Sequence, residues 1–155
     1  MKSLPARGTL TALLVATLCC ATPAWAALGG DVTSIEADRM ALKGALGAAS
    51  ASGYEVREIA SAGGALVREY LTADGRVFAV SWHGPTIPDL RVLLGAYYER
   101  YAQGAAAASH AGGHRNFAVR QPGLIVESSG RLRAFTGRAW DPQLLPQNFS
   151  PADIR

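Results

Sequence analysis

Cysteine is almost absent from this sequence. The only two cysteines of the 155-residue chain, Cys19 and Cys20, lie in an apolar run near its beginning. If that run is removed on export, as argued next, the mature protein has no cysteine and therefore no disulfide. It must then be held together by an ordinary hydrophobic core, and residues 27–155 are enough to build one domain.

Long apolar runs are also missing, apart from the one at residues 10–21, which is too short to span a membrane comfortably. Lys2 and Arg7 precede this run, and Ala24-Trp25-Ala26 follows it with the small-x-small pattern of a signal-peptidase site. We therefore predict that residues 1–26 are a secretory signal. The mature protein is then periplasmic or extracellular, and no transmembrane segment remains in it.

The mature chain has almost no net charge once the signal has been removed. Of the 15 lysines and arginines, Lys2 and Arg7 leave with the signal, and the remaining 13 face 12 aspartates and glutamates, a net charge of +1. The basic balance of the whole chain is therefore no argument for nucleic acid. We expect an envelope or secreted protein as the partner, no nucleic acid, and leave the oligomeric state open.

Catalytic and phosphate-binding motifs are missing too. There is no G-x-S-x-G elbow, and neither Gly29-Gly30 nor Gly63-Gly64 has the spacing of a phosphate loop. His110 and His114 are four apart in an Ala/Gly stretch with no acidic or cysteine ligand nearby, and we interpret them as surface histidines. We predict no cofactor, no metal site and no assigned catalytic residue.

The strongest strand signal is residues 76–83, which follow the hairpin signal Asp74-Gly75. The segment is apolar on both faces, which is typical of a central strand. The turn is expected to set Leu71 opposite Phe78. The face predicted to lie against a helix consists of Phe78, Val80 and Trp82.

The strongest helix signal comes next, beginning at Pro88-Asp89. Its buried stripe, at helical spacing, is Leu90, Leu94, Tyr97 and Tyr101. An earlier helix is predicted from Thr33, which forms a capping box with Glu36, to about Ala48. Residues 103–113 are interpreted as a connection, with the alternative that their alanines extend the helix by a turn.

Five further strands are predicted, at residues 54–60, 65–72, 116–120, 124–128 and 131–139, with a turn at Ser129-Gly130. Charge predicts the register of the first two, because Arg57 opposite Glu69 and Glu58 opposite Arg68 bring unlike charges together. Arg57 and Glu69 fall on the face that a helix should cover. They are either its solvated margin or a buried pair.

These elements predict an α+β fold, an antiparallel sheet with its helices packed on one face. The order is α-β-β-β-α-β-β-β in one domain at residues 27–155, with an extended tail at about 141–155. Gly75-Arg76 and Gly130-Arg131 each begin a predicted third strand, which suggests a weak internal duplication. The tail is expected to pack through Leu144, Leu145 and Phe149.

The corner between the central strand and its helix is the candidate binding surface, formed by Trp82, His83, Pro85 and Asp89. A histidine at a strand end near a carboxylate can act as a general base or a metal ligand. His83 and Asp89 therefore define an alternative, a small envelope hydrolase or metal-dependent enzyme. Because no catalytic set accompanies them, we expect a non-enzymatic binding or accessory protein.

The C-terminal half is rich in arginine. These residues form either an anion- or polymer-binding face, because guanidinium groups suit carboxylates and phosphates, or an ordinary solvated sheet face. They are Arg115, Arg120, Arg131, Arg133 and Arg138.

Several segments of the mature chain form a recognisable set. They include Ala27-Leu28-Gly29-Gly30, Tyr54-Glu55-Val56-Arg57-Glu58-Ile59, Val67-Arg68-Glu69-Tyr70, Gly75 through Pro85, Pro88-Asp89-Leu90 and Asp153-Ile154-Arg155. The Phe-Ala-Val-x-Trp-x-Gly-Pro segment is the most specific. The set resembles a bacterial secreted family called domain of unknown function 2844, over essentially the whole mature chain. The resemblance implies a proteobacterial exported protein of uncharacterised activity and carries over no catalytic residue.

Removal of the signal can be tested on the exported protein. When the full chain is expressed, the protein recovered outside the cytoplasm should begin at Ala27 by mass spectrometry. Ala24→Lys should block this cleavage, because the site requires small residues. Recovery of the chain only in the cytoplasm, with Met1 still present, would contradict the prediction.

Overall fold

A computed structural model describes residues 28–31, 39–43, 45–51, 53–109 and 116–155 of the chain. Besides a helical stretch at residues 39–41, its elements in chain order are β1 (Ala45–Ala51), β2 (Tyr54–Ala60), β3 (Leu66–Leu71), β4 (Val77–Gly84), α1 (Leu90–Leu94), a 3-10 turn (Gly95–Tyr97), α2 (Tyr98–Ser109), β5 (Asn116–Gln121), β6 (Leu124–Arg131), β7 (Ala134–Trp140) and a second 3-10 turn (Pro151–Asp153).

The seven strands form one sheet in the order β1-β2-β3-β4-β7-β6-β5. All neighbours are antiparallel, so β1–β4 make one meander and β5–β7 another. The two meanders join where β4 pairs with β7. The α+β class with an antiparallel sheet is confirmed, and so is the predicted register of β2 and β3, with Arg57 opposite Glu69 and Glu58 opposite Arg68.

Strand β1 shows that the helix predicted to extend to about Ala48 is wrong. Ala45–Ala51 pairs with β2 over its whole length. The segment contains the strong helix formers alanine and leucine around Gly47, so local propensity did not decide its structure. Pairing decided it, because a strand here satisfies the backbone groups along the outer side of β2. The capping residues Thr33 and Glu36 lie outside the described residues.

The turn between β6 and β7 is at Leu132-Arg133, so the prediction of a turn at Ser129-Gly130 is wrong. Gly130 lies within β6, where a Cβ would collide with the ring of Phe135 on the neighbouring strand. Glycine is therefore needed at this position because the Phe135 ring lies close to the backbone, and not because the chain turns here. Since Gly75-Arg76 does precede its strand, the two Gly-Arg pairs are not equivalent, and the internal duplication remains a prediction.

The helix after Asp89 is interrupted and also longer than predicted. A 3-10 turn that begins at Gly95 separates α1 from α2, and α2 continues to Ser109. The alanine-rich stretch that we interpreted as a connection is therefore helical up to that residue, in keeping with the high helix propensity of alanine. Leu93 and Leu94 are fully buried against the sheet.

Both faces of the sheet are covered in part. On the helix face, α1 and α2 pack on a core that includes Ile59, Val67, Leu71, Val80, Trp82 and Val126. On the opposite side, the tail face, the segment after β7 packs on a smaller cluster. That cluster comprises Val56, Tyr70, Phe78, Ala79, Trp140 and Ile154, and, as predicted, Leu144, Leu145 and Phe149 pack against it.

A β-bulge decides which face Phe78 occupies. Tyr70 pairs with Ala79 but Leu71 pairs with Val77, so β4 has one extra residue at this point. The predicted pairing of Leu71 with Phe78 is therefore wrong, and Phe78 lies on the tail face, 4.8 Å from the ring of Phe149 in an edge-on arrangement. The bulge lets β4 supply core to both faces.

Gly137 lies directly opposite Trp82 in the β4–β7 pair. A Cβ at this position would fall far inside van der Waals contact with the buried indole ring. Gly137→Ala is expected to lower the free energy of unfolding by about 2 kcal/mol, measured by urea denaturation. Gly47→Ala is the control, because the nearest side-chain atom to its Cβ is 3.7 Å away. Equal effects in the two variants would contradict this reading.

Candidate functional site

The tail face carries polar side chains where the hydrophobic cluster ends. Side chains alternate along a strand, so β4 directs Ser81 and His83 to this face while Trp82 points to the helices. Across the β4–β7 pair, Ser81 lies opposite Arg138 and His83 opposite Thr136. The junction of the two meanders therefore collects polar groups from both of them.

These groups line an open cavity of about 770 Å³ that crosses the sheet from β3 to β5 and ends at the tail. Its volume is within the range of small-molecule sites. The lining is Leu66, Arg68, His83, Asn116, Phe117, Ala118, Glu127, Ser128, Ser129, Thr136, Gly137, Arg138, Ile154 and Arg155.

An ion pair between Arg138 and Glu127 forms part of the cavity wall. The Nη2 and Nε atoms of Arg138 donate to Oε2 of Glu127 at 2.7 and 3.0 Å, and its Nη1 donates to the carbonyl of Pro151 at 2.8 Å. Arg120 approaches the other carboxylate oxygen at 3.3 Å. Three bonds hold the Arg138 guanidinium in one orientation, so the wall is preorganised.

The main chain of Arg155 is held at the tail-side end of the cavity. Its carbonyl oxygen accepts hydrogen bonds from Nη1 of Arg68 at 3.0 Å and from the hydroxyls of Tyr70 and Ser81, each at 2.8 Å. The Arg155 amide donates to the same Tyr70 hydroxyl at 2.9 Å. Nε of Arg68 also donates to Glu58 at 2.6 Å, and this ion pair connects this side of the cavity to β2.

The structure separates the four residues of the predicted corner. Trp82 is buried in the core of the helix face, whereas His83 is exposed and lines the cavity on the tail face. Pro85 is exposed next to Gly64. Asp89 caps α1 by accepting a hydrogen bond from the Arg91 amide at 2.8 Å. Of the four, His83 alone is among the lining residues.

The charged residues on β2 and β3 have different surroundings. Glu58 and Arg68 form the ion pair just described, whereas Arg57 pairs with Glu55 at 2.6 Å along its own strand. Glu69 is fully buried on the helix side, so it is not part of a solvated margin. His110, His114 and Arg115 lie outside the described residues.

One polar pair was not predicted from the sequence. The hydroxyl of Tyr97 donates to Oδ2 of buried Asp141 at 2.7 Å, and the Gln143 amide donates to Oδ1 at 2.8 Å. The sequence does contain a signal for the bond from the Gln143 amide. It is Asp141-Pro142, since an aspartate before proline commonly accepts a hydrogen bond from the amide two residues on. The Tyr97 bond joins segments 44 residues apart, and no local pattern predicts it.

Tyr97 is suited to donate a hydrogen bond and not to act as a base. Burial, followed by the hydrogen bond to Asp141 and its charge, raises the pKa of Tyr97 to about 12. The phenol therefore stays protonated at any physiological pH. Arg100 lies over its ring at 5.1 Å. The arrangement ties the start of α2 to the end of β7.

Within the described residues, no group of three or more histidines, cysteines, aspartates or glutamates is placed to hold a metal ion. In that same part of the chain, no helix has the length and hydrophobicity to cross a membrane.

A family described as "Protein of unknown function (DUF2844)" matches residues 24–154. The chain belongs to this family. The match covers β1 to β7 and the tail as far as Ile154, so the cavity and its supporting contacts are built almost entirely from family sequence. A comparison with curated proteins and one with solved structures found no match.

The bond between Tyr97 and Asp141 is expected to stabilise the fold. Tyr97→Phe removes the donor and leaves a buried carboxylate oxygen unsatisfied, which should lower the free energy of unfolding by about 1–2 kcal/mol at neutral pH. The control is Tyr98→Phe, at a half-buried neighbour, with an expected change below about 0.5 kcal/mol. Urea denaturation measures both.

The same bond predicts a loss of stability at high pH. Because the pKa of Tyr97 is raised from 10.0 to about 12 in the folded protein, its contribution is complete below pH 10 and is lost as the pH rises from 10 to 12. Tyr97→Phe should flatten the stability profile in this interval. Identical profiles for wild type and variant would show that the bond contributes nothing.

Proposed function

We propose that this protein is a non-enzymatic binding or accessory protein that acts in the periplasm or outside the cell, and that the cavity on the tail face is its binding site. The observation that carries the proposal is the cavity itself, about 770 Å³ in volume and built from both meanders. Its charged groups are held by ion pairs and backbone contacts, so a ligand meets a preformed surface.

The lining favours an anionic ligand. The lining contains three arginines, Arg68, Arg138 and Arg155, and one acidic residue, Glu127. Ion pairs with Glu58 and Glu127 hold Arg68 and Arg138 in place. Hydroxyl and amide groups of Ser129, Thr136 and Asn116 add polar contacts, and Leu66, Ala118 and Ile154 supply apolar ones. A small molecule that combines a carboxylate or phosphate with an apolar or aromatic group matches this combination.

The enzymatic alternative has less support. It needs His83 and Asp89 to act on one substrate, but Asp89 serves as the N-cap of α1 and is not among the residues that line the cavity. Glu127, the acidic residue that does line it, is already paired with Arg138 and Arg120. Among the residues that line the cavity, no side-chain carboxylate is therefore left to form a catalytic pair with His83.

The proposal can be tested with phenyl phosphate as the anionic ligand. Benzyl alcohol serves as the uncharged comparison. In an amide NMR titration of the exported protein, phenyl phosphate should shift the signals of Ser129, Thr136 and Asn116, and benzyl alcohol should shift them much less. Thr136→Glu places a negative charge in the cavity and should weaken phenyl phosphate binding by about fivefold or more.

Ala73→Glu is the matched control, because it adds the same charge at the exposed β3–β4 turn, at the other end of the sheet. It should leave the titration unchanged. The proposal fails if both glutamates weaken binding equally, if benzyl alcohol binds as well as phenyl phosphate, or if the shifts lie away from the cavity.

A further inference from the structure

Among the described residues, the large apolar side chains that are exposed lie at one end of the sheet. Leu132 is 93 % exposed, Met40 61 % and Ile87 50 %. A single exposed apolar residue is ordinary, whereas several at one end of a protein are typical of an interaction surface. The cavity of the proposed function does not include any of them.

Hydrogen bonds to the β2–β3 loop place the segments of Met40 and Ile87 side by side. The amide of Ala62 in the β2–β3 loop donates to the carbonyl of Leu42, which links that loop to the segment of Met40. The hydroxyl of Thr86 donates to the carbonyl of Gly63 at 2.9 Å, which brings Ile87 to the same loop.

The β6–β7 turn lies at this end as well. Gly84, the last residue of β4, is opposite Phe135 at the beginning of β7, three residues after Leu132. We call this end of the sheet, with Met40, Ile87 and Leu132, the loop end.

The β6–β7 turn has unusual residues for a two-residue hairpin. Glycine, asparagine and aspartate are preferred in such turns, because they tolerate positive φ. Here the turn is Leu132-Arg133, and Arg133 has φ +61°. The fold alone would be better served by small polar residues, so the apolar and basic side chains at the tip point to a role outside the fold.

Positive charge surrounds the exposed apolar residues. Arg131 and Arg133 flank Leu132, and Lys43 follows Met40 by three residues; all three are exposed. The nearest acid along the chain from Ile87 is Asp89, and its carboxylate is engaged as the N-cap of α1. Among the described residues, the loop end thus combines projecting apolar side chains with an excess of basic ones.

We propose that the loop end docks the protein on an anionic phospholipid surface, with Leu132 inserted at the level of the headgroups and Lys43, Arg131 and Arg133 near the phosphates. Apolar side chains that penetrate an interface while basic neighbours attract anionic lipid are the two components of peripheral membrane binding. Charge complementarity favours a lipid surface here, and the three side chains project from separate loops rather than lining a groove for a folded partner.

The affinity for anionic vesicles can be estimated from the contributions of the basic residues and of Leu132. Each basic residue near an anionic surface strengthens binding by about fivefold, and transfer of one leucine side chain from water contributes about tenfold. Binding should therefore be reversible, require vesicles at millimolar lipid, and weaken as salt is added.

The proposal is tested by co-sedimentation of the exported protein with phosphatidylglycerol–phosphatidylcholine vesicles. Mass spectrometry first verifies the N-terminus of the protein. Vesicles of phosphatidylcholine alone are the comparison. Arg133→Glu and Leu132→Ser should each weaken binding to the anionic vesicles by about tenfold or more. Arg76→Glu is the matched control, since it makes the same change of charge in the exposed β3–β4 turn at the opposite end of the sheet.

A tryptophan at the tip reports insertion directly. In the Leu132→Trp variant, anionic vesicles should shift the fluorescence emission to shorter wavelength, because the indole leaves water, whereas the buried Trp82 and Trp140 give a constant background. Circular dichroism should show that every variant is folded.

Three results would overturn the proposal. They are no binding of the wild type to anionic vesicles at low ionic strength, equal loss in Arg133→Glu and Arg76→Glu, and binding without an emission shift in Leu132→Trp. If Leu132→Trp binds without an emission shift and dextran sulfate competes with the vesicles for the protein, the loop end binds soluble polyanions and not lipid.

Discussion

The pairing of β4 with β7 is the interaction on which the rest of this structure depends. It joins two meanders into one sheet, and at its centre the ring of Trp82 packs over Gly137, where no other residue would fit. Pairing places the large side chains of β4 in the middle of the sheet, where helices cover one face and the tail covers the other.

The bulge in β4 determines how the core is shared between these faces. By shifting the alternation once, it places Val77 with Val80 and Trp82 under the helices and Phe78 with Ala79 under the tail. The tail can then pack on Phe78 and at the same time bring the main chain of Arg155 to Tyr70 and Ser81. The cavity lies beside this anchored segment, so the packing of the second face also forms its wall.

Polar chemistry is distributed in the same way, by position in the sheet. Arginines that look alike in the sequence have different surroundings: Arg138 is held by three bonds in the cavity wall, whereas Arg131 and Arg133 extend from an exposed turn. A fixed guanidinium suits recognition of one small anion, and exposed ones suit attraction to an extended negative surface. The protein therefore has two separate candidate surfaces, one on the tail face and one at the loop end.

Local pattern and pairwise charge were enough for much of the fold. The strands, the register of β2 and β3 set by Arg57, Glu58, Arg68 and Glu69, and the apolar contacts of the tail follow from side-chain alternation and from attraction between neighbours, which the sequence states directly. Tertiary structure alone decided the rest. Strand β1 exists because β2 offers a partner edge, the bulge moves Phe78, and the bond from Tyr97 to Asp141 joins distant segments. The predicted corner was divided for the same reason: His83 and Trp82 are adjacent in sequence, but a strand sends neighbours to opposite faces, and only the packed sheet shows what each face meets.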